Sequence, residues 1–256
     1  MTSATLFALP DIGAIEPGQD LAAAILVAAE RSALVLQDDD IVVVAQKVVS
    51  KVEDRYVNLA AVQPGTRARE LAATAQKDPR LVELILAESS EILRCVPGVI
   101  ISRHRSGFVM ANAGIDRSNT GRVQESGEFV LLLPADPDAS CALLRERLQL
   151  LAGTDCGVIV NDSFGRPWRI GTVSVAIGSA RVATVVDQRG DTDLDGRILE
   201  TTQPAFADQV AAAAALLQGE SNEGLPVVVV RGLPRGKADP AGARSMIRPL
   251  AGDLFQ

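Results

Sequence analysis

An α+β fold with mixed sheets and flanking helices is predicted by three features of the sequence. Short apolar runs bounded by turn residues recur along it, as at Ile41–Ala45, Phe129–Leu133, Gly157–Val160 and Val227–Val230, the pattern of buried strands. Longer stretches carry alanine and leucine at helical spacing, as at Leu21–Arg31, Thr66–Gln76 and Pro204–Leu217. The two kinds of segment mix without strict alternation, which points to α+β. At 256 residues, 47% of them hydrophobic, the chain can bury one large core or two small ones. No repeat, low-complexity tract or long linker marks a boundary, so residues 1–256 read as one unit with room for two subdomains.

In chain order, Pro10–Gly18 is a turn-rich lead-in to the helix Leu21–Arg31. Asp38-Asp39-Asp40 turns the chain before the strand Ile41–Ala45, and Gln46–Lys51 follows at once. Helices are expected over Thr66–Gln76 and Arg80–Arg94, separated by Asp78-Pro79. Val99–Ser102 and Phe108–Ala111 flank the polar turn Arg103–Gly107 and predict a hairpin. Pro134–Asp138 breaks the strand Phe129–Leu133 and opens a helix through about Leu151, with acidic residues at its positive N-terminal end. Gly157–Val160 and Val173–Ile177 are strand-like. Pro204 suits the first turn of the last helix.

A net charge of −7 and a pI near 4.9, with no dense Lys/Arg stripe, argue against a nucleic-acid footprint. A nucleotide substrate remains open, since it needs only a local basic cluster and backbone amides. Cys95, Cys141 and Cys156 are odd in number and lack CxxC spacing, which favours reduced thiols. Met1–Leu9 does not read as a signal peptide, and no apolar segment approaches membrane-spanning length. These features predict a cytoplasmic protein without a membrane partner.

Three polar loops, each beside an apolar run, carry the chemistry: Ala111–Asn119, Asn161–Arg169 and Gly219–Gly224. They hold carboxylates, amides and glycines, as oxygen-ligand metal and phosphate sites do. His104 is the single histidine, so a metal site here must use carboxylates, hydroxyls and carbonyls, which suits Mg²⁺ or Mn²⁺ rather than zinc. Asp162 and Ser163 end an apolar run, where an Asp beside a hydroxyl can hold Mg²⁺; the dipeptide alone reads equally well as a capping turn. Arg166 and Arg169 bracket Pro167-Trp168 and suit an anion, or else stack on the only tryptophan. Asp116 and Asn119 share a loop whose Asn and Gly permit close backbone approach, and Glu220 and Glu223 lie in a loop that also reads as a helix cap. Lys47 and Lys51 share one side of a helical turn, and a lysine point charge suits a triphosphate. His104, between two arginines, reads as a solvated turn residue. Gly232–Ala238 is one residue short of a P-loop and lacks its hydroxyl, and no Rossmann fingerprint is present.

Taken together, these segments resemble the coenzyme F420:L-glutamate ligase family, the gamma-glutamyl ligases that extend a deazaflavin coenzyme. The resemblance runs through Leu9-Pro-Asp-Ile12, Ile41–Lys51, Asn112-Ala-Gly-Ile-Asp-Arg-Ser-Asn119, Leu133–Asp138, Asp162-Ser-Phe-Gly-Arg-Pro-Trp-Arg169, Asp187-Gln-Arg-Gly190 and Gly219–Arg231. It implies a gamma-glutamyl-ligase-like fold in an intertwined homodimer, dependent on GTP and on two divalent ions, Mg²⁺ or Mn²⁺, with K⁺ as a further candidate ion. Metal would be held at Asp116, Asp162, Ser163 and Glu220. The nucleotide would be held at Leu9, Pro10, Asp11, Ile12, Gln46, Lys51 and Asn119, and at Gln218, Gly219, Glu220, Ser221, Asn222, Glu223, Gly224 and Leu225. Asp116, Asp162 and Lys51 would be the catalytic groups. Ser163 stands where the family has threonine, Gln46 where it has a small hydroxyl residue, and Glu220 where glutamine is usual. The expectation is a single ligase unit, without the C-terminal domain fused to some bacterial relatives.

The implied partners are GTP, L-glutamate and the unglutamylated deazaflavin coenzyme, joined through an acyl phosphate. Two rivals use the same loops. A Mg²⁺-dependent phosphohydrolase would release phosphate from GTP without an acceptor, and a non-catalytic nucleotide-binding module would tolerate change at Asp162.

Overall fold

The computed structural model describes residues 3–121, 128–234 and 236–253. Its strands are β1 (Thr5–Leu9), β2 (Ile41–Ala45), β3 (Tyr56–Asn58), β4 (Ser89–Val96), β5 (Val99–His104), β6 (Val109–Ala111), β7 (Phe129–Leu131), β8 (Gly157–Arg166), β9 (Arg169–Ala180) and β10 (Val227–Arg231). Its α-helices are α1 (Leu21–Arg31), α2 (Gln46–Val52), α3 (Thr66–Ala75), α4 (Pro79–Ala87), α5 (Pro137–Ala152) and α6 (Phe206–Gln218).

The main sheet runs β1-β10-β2-β8-β9, with β2 and β8 parallel and the other neighbours antiparallel. Its central strands are continuous apolar runs because both faces are covered. On one face Val42, Val44, Val158, Val160, Val227 and Val229 pack with Ile25 of α1 and Leu144 and Leu148 of α5. On the other, Ile41, Val43, Ile159, Val228 and Val230 meet the alanine-rich face of α6 through Ala207, Val210, Ala211 and Ala214. A second core joins α3 and α4 to the β4-β5-β6 and β3-β7 sheets around Leu59, Leu71, Val82, Ile85, Ile100 and Val130. Mixed sheets with flanking helices bear out the α+β expectation. No helix among the described residues is long and apolar enough to cross a membrane.

Three expectations are corrected. The helix expected over Arg80–Arg94 ends at Ala87, and Ser89–Val96 is a strand paired with β5. Asp78 caps that helix and Pro79 opens it, but Ser89 Oγ donates back to Ile85 O at its end. Beyond that point, pairing with β5 outweighs the helix propensity of Glu91–Arg94. The polar stretch Asn161–Arg169 is not a loop: β8 continues to Arg166 and turns back through Pro167-Trp168, with Trp168 at φ +62°. Its polar residues stay in strand because each faces a partner on β9, Asp162 opposite Val175 and Ser163 opposite Ser174. His104 is not solvated. It closes β5 with 1% of its surface exposed, its Nδ1 accepts from Ser106 N at 3.0 Å, and its Nε2 lies 3.5 Å from Glu88. Cys95, Cys141 and Cys156 form no disulfide among the described residues, as expected.

Candidate active site

The topology aligns the ends of β1 and β2 and the start of β10 with the middle of β8. Leu9 at the end of β1, Val227 at the start of β10, Val44 near the end of β2 and Val160 within β8 lie in register across the main sheet. Chain emerging at the carboxyl ends of the parallel pair β2 and β8 is a common place for a ligand crevice. A cavity of about 940 Å³ opens there. Pro10–Ile15, Gln46, Lys47, Lys51, Asn161–Ser163 and 218–226 line it, and Asp116, Ser118 and Asn119 close it from the second core.

Asp116 is held from behind. Its main chain exchanges hydrogen bonds with Leu131, and its Oδ1 accepts from Ser118 N (3.3 Å) and Oγ (2.9 Å). Upstream, Asn112, Ala113 and Gly114 all take positive φ, a left-handed turn that swings the chain into the cavity. Asn112 and Gly114 are residue types that tolerate that region. Oδ2 of Asp116 pairs with Lys47 Nζ at 2.9 Å.

A register shift in the β8–β9 ladder falls between Val160 and Asn161, beside Asp162. Such bulges re-aim side chains at sites. Burial pushes the Asp162 carboxyl up to about 7; the Ser163 N–H and Lys47 oppose this, while the charges of Asp116 and Glu220 add to it. Ser163 Oγ donates to Glu220 Oε1 in a short hydrogen bond. Lys51 is lowered by burial and then by the charge of Lys47.

The segment after α6 folds over the cavity. Glu223 Oε2 accepts from Ser221 N at 2.8 Å, a bond that holds its carboxyl below the usual range. Glu223 lies where a Cβ on Gly219 would stand, so this turn requires glycine at φ +70°. Asn119 Nδ2 donates to Ser221 O at 2.9 Å and ties the second core to this segment. Beneath it, Asn161 Nδ2 donates to Ser174 Oγ and to Gln218 Oε1, both at 2.7 Å, and Gln218 Nε2 donates to Pro226 O at 3.2 Å.

Of the residues singled out from sequence, Asp116, Asp162, Ser163, Glu220, Lys51, Asn119, Pro10–Ile12 and Gln218–Leu225 all line this one cavity. Leu9 does not: it is fully buried in the main core, and the lining begins at Pro10. Gln46 lines the cavity but is nearly buried, its Oε1 accepting from Ser50 Oγ at 3.0 Å. Lys47 emerges as more than a weak lysine spacing, because it pairs with Asp116. The Asn161–Gln218 clasp spans 57 positions of sequence, and no local signal could have found it. Arg166 and Arg169 stand at the hairpin tip, outside the cavity lining.

The donor set fits a hard divalent ion by its chemistry: three carboxylates and a hydroxyl face one space, and Asp162 is raised first by burial and then by the charges of Asp116 and Glu220. No three His, Cys, Asp or Glu side chains among the described residues form a ready-made metal cage. Carboxylate and hydroxyl oxygens are the donor types that Mg²⁺ and Mn²⁺ take, with water and phosphate oxygens completing the shell.

The family model described as F420-0:Gamma-glutamyl ligase matches residues 11–232 of this chain. The coenzyme F420:L-glutamate ligase of Methanothermobacter thermautotrophicus is 42% identical over 250 residues, covering 97% of this chain and 96% of that protein. The ligase of the same name from Methanopyrus kandleri is 43% identical over 245 residues, covering 94% and 93%. That from Halobacterium salinarum is 42% identical over 256 residues, covering 98% and 94%.

Proposed function

Because the chain belongs to the coenzyme F420:L-glutamate ligase family, and so joins glutamate to that coenzyme, we propose that it does so with GTP, through an acyl phosphate, in the cavity described above. One observation carries this reading: a single cavity of about 940 Å³ gathers Asp116, Asp162, Ser163 and Glu220 with Lys47 and Lys51. That space is of the size of a small-molecule site, and its charges suit a triphosphate and a carboxylate that must meet.

In the proposed reaction a carboxylate oxygen of the coenzyme attacks the γ-phosphorus of GTP, and the bond to the β-phosphate oxygen breaks, releasing GDP. The amine nitrogen of L-glutamate then attacks the acyl carbon. The carbon–oxygen bond to phosphate breaks, inorganic phosphate leaves, and the nitrogen gives up its extra proton. Two anions meet in the first step, so charge is what the site must supply. Lys51, half-buried and held on α2, brings a positive charge to the phosphates. Asp116, Asp162, Ser163 and Glu220 would hold divalent metal, which when bound neutralises the triphosphate and orients it. The backbone of Pro10–Ile12, with Asp11 at φ +58°, and the segment 218–225 would enclose the nucleotide. Asn119 would hold that segment down. A chain without a histidine or cysteine in the cavity lining can carry out this chemistry, because neither step needs a protein nucleophile.

A homodimer belongs to the same proposal, and Trp168 and Ile170 at the hairpin tip, with Leu194 and Ile198, support it as exposed apolar side chains. Incubation with GTP, Mn²⁺, L-glutamate and the unglutamylated coenzyme tests the function. Products spaced by glutamyl units, with GTP clearly outperforming ATP, are expected; equal rates with both nucleotides at low concentration would remove the guanine assignment.

A further inference from the structure

Lys47 and Lys51 stand one turn apart on α2, yet their surroundings differ. Lys51 makes no ion pair among the described residues. Lys47 is engaged on both sides, its Nζ 2.9 Å from Asp116 Oδ2 and 3.2 Å from Ser118 Oγ. It bridges the main sheet and the second core at the mouth of the cavity. Asp116 Oδ1 is already occupied by the amide and hydroxyl of Ser118, so Oδ2 is the oxygen Asp116 has to offer.

A divalent ion would need that oxygen at roughly 2.0–2.6 Å, and the ammonium of Lys47 stands against it. Two cations a few ångströms apart at a partly buried site repel each other. We propose that Lys47 is a resident counter-ion: it neutralises Asp116 in the metal-free protein, competes with divalent metal for Oδ2, and sets the metal affinity below what the acids alone would give. This inference rests on the metal reading of the acid cluster given above. Lys47 acts here as a positioning residue, through Asp116, and not on the reacting atoms. Glu16 and Glu223 make no ion pair with it; Asp116 is its ion-pair partner among the described residues, while Asp162 feels its charge without an ion pair.

The test is Mn²⁺ binding to the nucleotide-free protein, followed by the paramagnetic resonance signal of free Mn²⁺, in wild type, Lys47→Gln, Lys47→Arg and Asp162→Asn. Lys47→Gln is expected to bind Mn²⁺ about tenfold more tightly, because a repelling charge is gone. Lys47→Arg keeps the charge and should stay within about twofold of wild type. Unchanged or weaker binding in Lys47→Gln, or equal tightening in Lys47→Arg, overturns the inference while Asp162→Asn still abolishes wild-type binding. Wild-type binding that survives Asp162→Asn, or no Mn²⁺ binding at all, overturns the metal reading beneath it. Circular dichroism of each variant confirms that the fold is kept.

Discussion

Asp162 bears the largest electrostatic cost at the site. Burial and, after it, the neighbouring carboxylates Asp116 and Glu220 disfavour its charge and raise its carboxyl to about 7, so a bound cation would favour the ionised form. Asp162→Asn keeps the shape and removes the charge, and turnover is expected to fall by at least about 10²-fold. Near-normal turnover at saturating Mn²⁺ would take Asp162 out of the metal shell. Glu220 is the second test at this scale. A carboxylate binds a hard ion more strongly than a neutral amide, so Glu220→Gln should raise the half-saturating Mn²⁺ concentration while activity returns in metal excess. If Glu220 only caps the segment after α6, that concentration will not move.

Among the elements, the contact between β8 and the end of α6 couples the acid-bearing strand to the segment proposed to cover the nucleotide. Asn161 makes that contact, buried, with Ser174 and Gln218. Asn161→Ala leaves these partners unsatisfied and is expected to cost about 2 kcal/mol in denaturant unfolding. It should also raise the KM for GTP several-fold more than it lowers kcat, since the covering segment loses its footing. An unchanged KM would separate the clasp from nucleotide binding. The same elements show what the sequence makes legible. β2 and β10 were plain because strands buried on both faces are apolar throughout, and α1 and α5 because their spacing and caps are local. The second half of β8 was hidden: Asn161–Arg166 is polar, and only its pairing with β9 makes it a strand. Ser89–Val96 was hidden for the same reason, as its helix-favouring residues yield to β5. The acids of the site were visible as unusual polar sequences beside apolar runs. Their convergence was not, since Asp116, Asp162 and Glu220 meet only in the folded cavity. His104 misled because a histidine between two arginines looks solvated, whereas the turn at Gly107 folds it inward.

For the whole molecule, stability depends on how the second core is joined to the main one. Glu88, buried beneath that junction, meets Arg55 and Arg105, each at 3.1 Å, and His104. Burial raises its pKa, but the His104 imidazole 3.5 Å away and the charges of Arg105 and Arg55 outweigh this and leave the carboxyl below its ordinary 4.5. A depressed folded-state pKa contributes stability that is full above the unfolded value and is lost as pH falls through the folded one. Glu88→Gln is therefore expected to cost about 3 kcal/mol at pH 7, and its difference from wild type should shrink below the ordinary carboxylate range. A difference that stays constant down to acid pH would show that packing, not charge, holds the junction. The proposed dimer is tested at the same scale: Ile170→Glu should shift sedimentation from dimer toward monomer, whereas an unchanged profile would free the hairpin tip from that role.

The central claim is that a coenzyme carboxylate, and not water, receives the γ-phosphoryl group. Supplying the unglutamylated coenzyme with ¹⁸O in that carboxylate, together with GTP, Mn²⁺ and L-glutamate, reads this directly in the mass of the released phosphate. Attack by the carboxylate places its oxygen on phosphorus, and breaking the acyl bond leaves it there, so one ¹⁸O is expected in inorganic phosphate for the first glutamyl bond made on each coenzyme molecule. Phosphate without ¹⁸O would contradict the acyl-phosphate account.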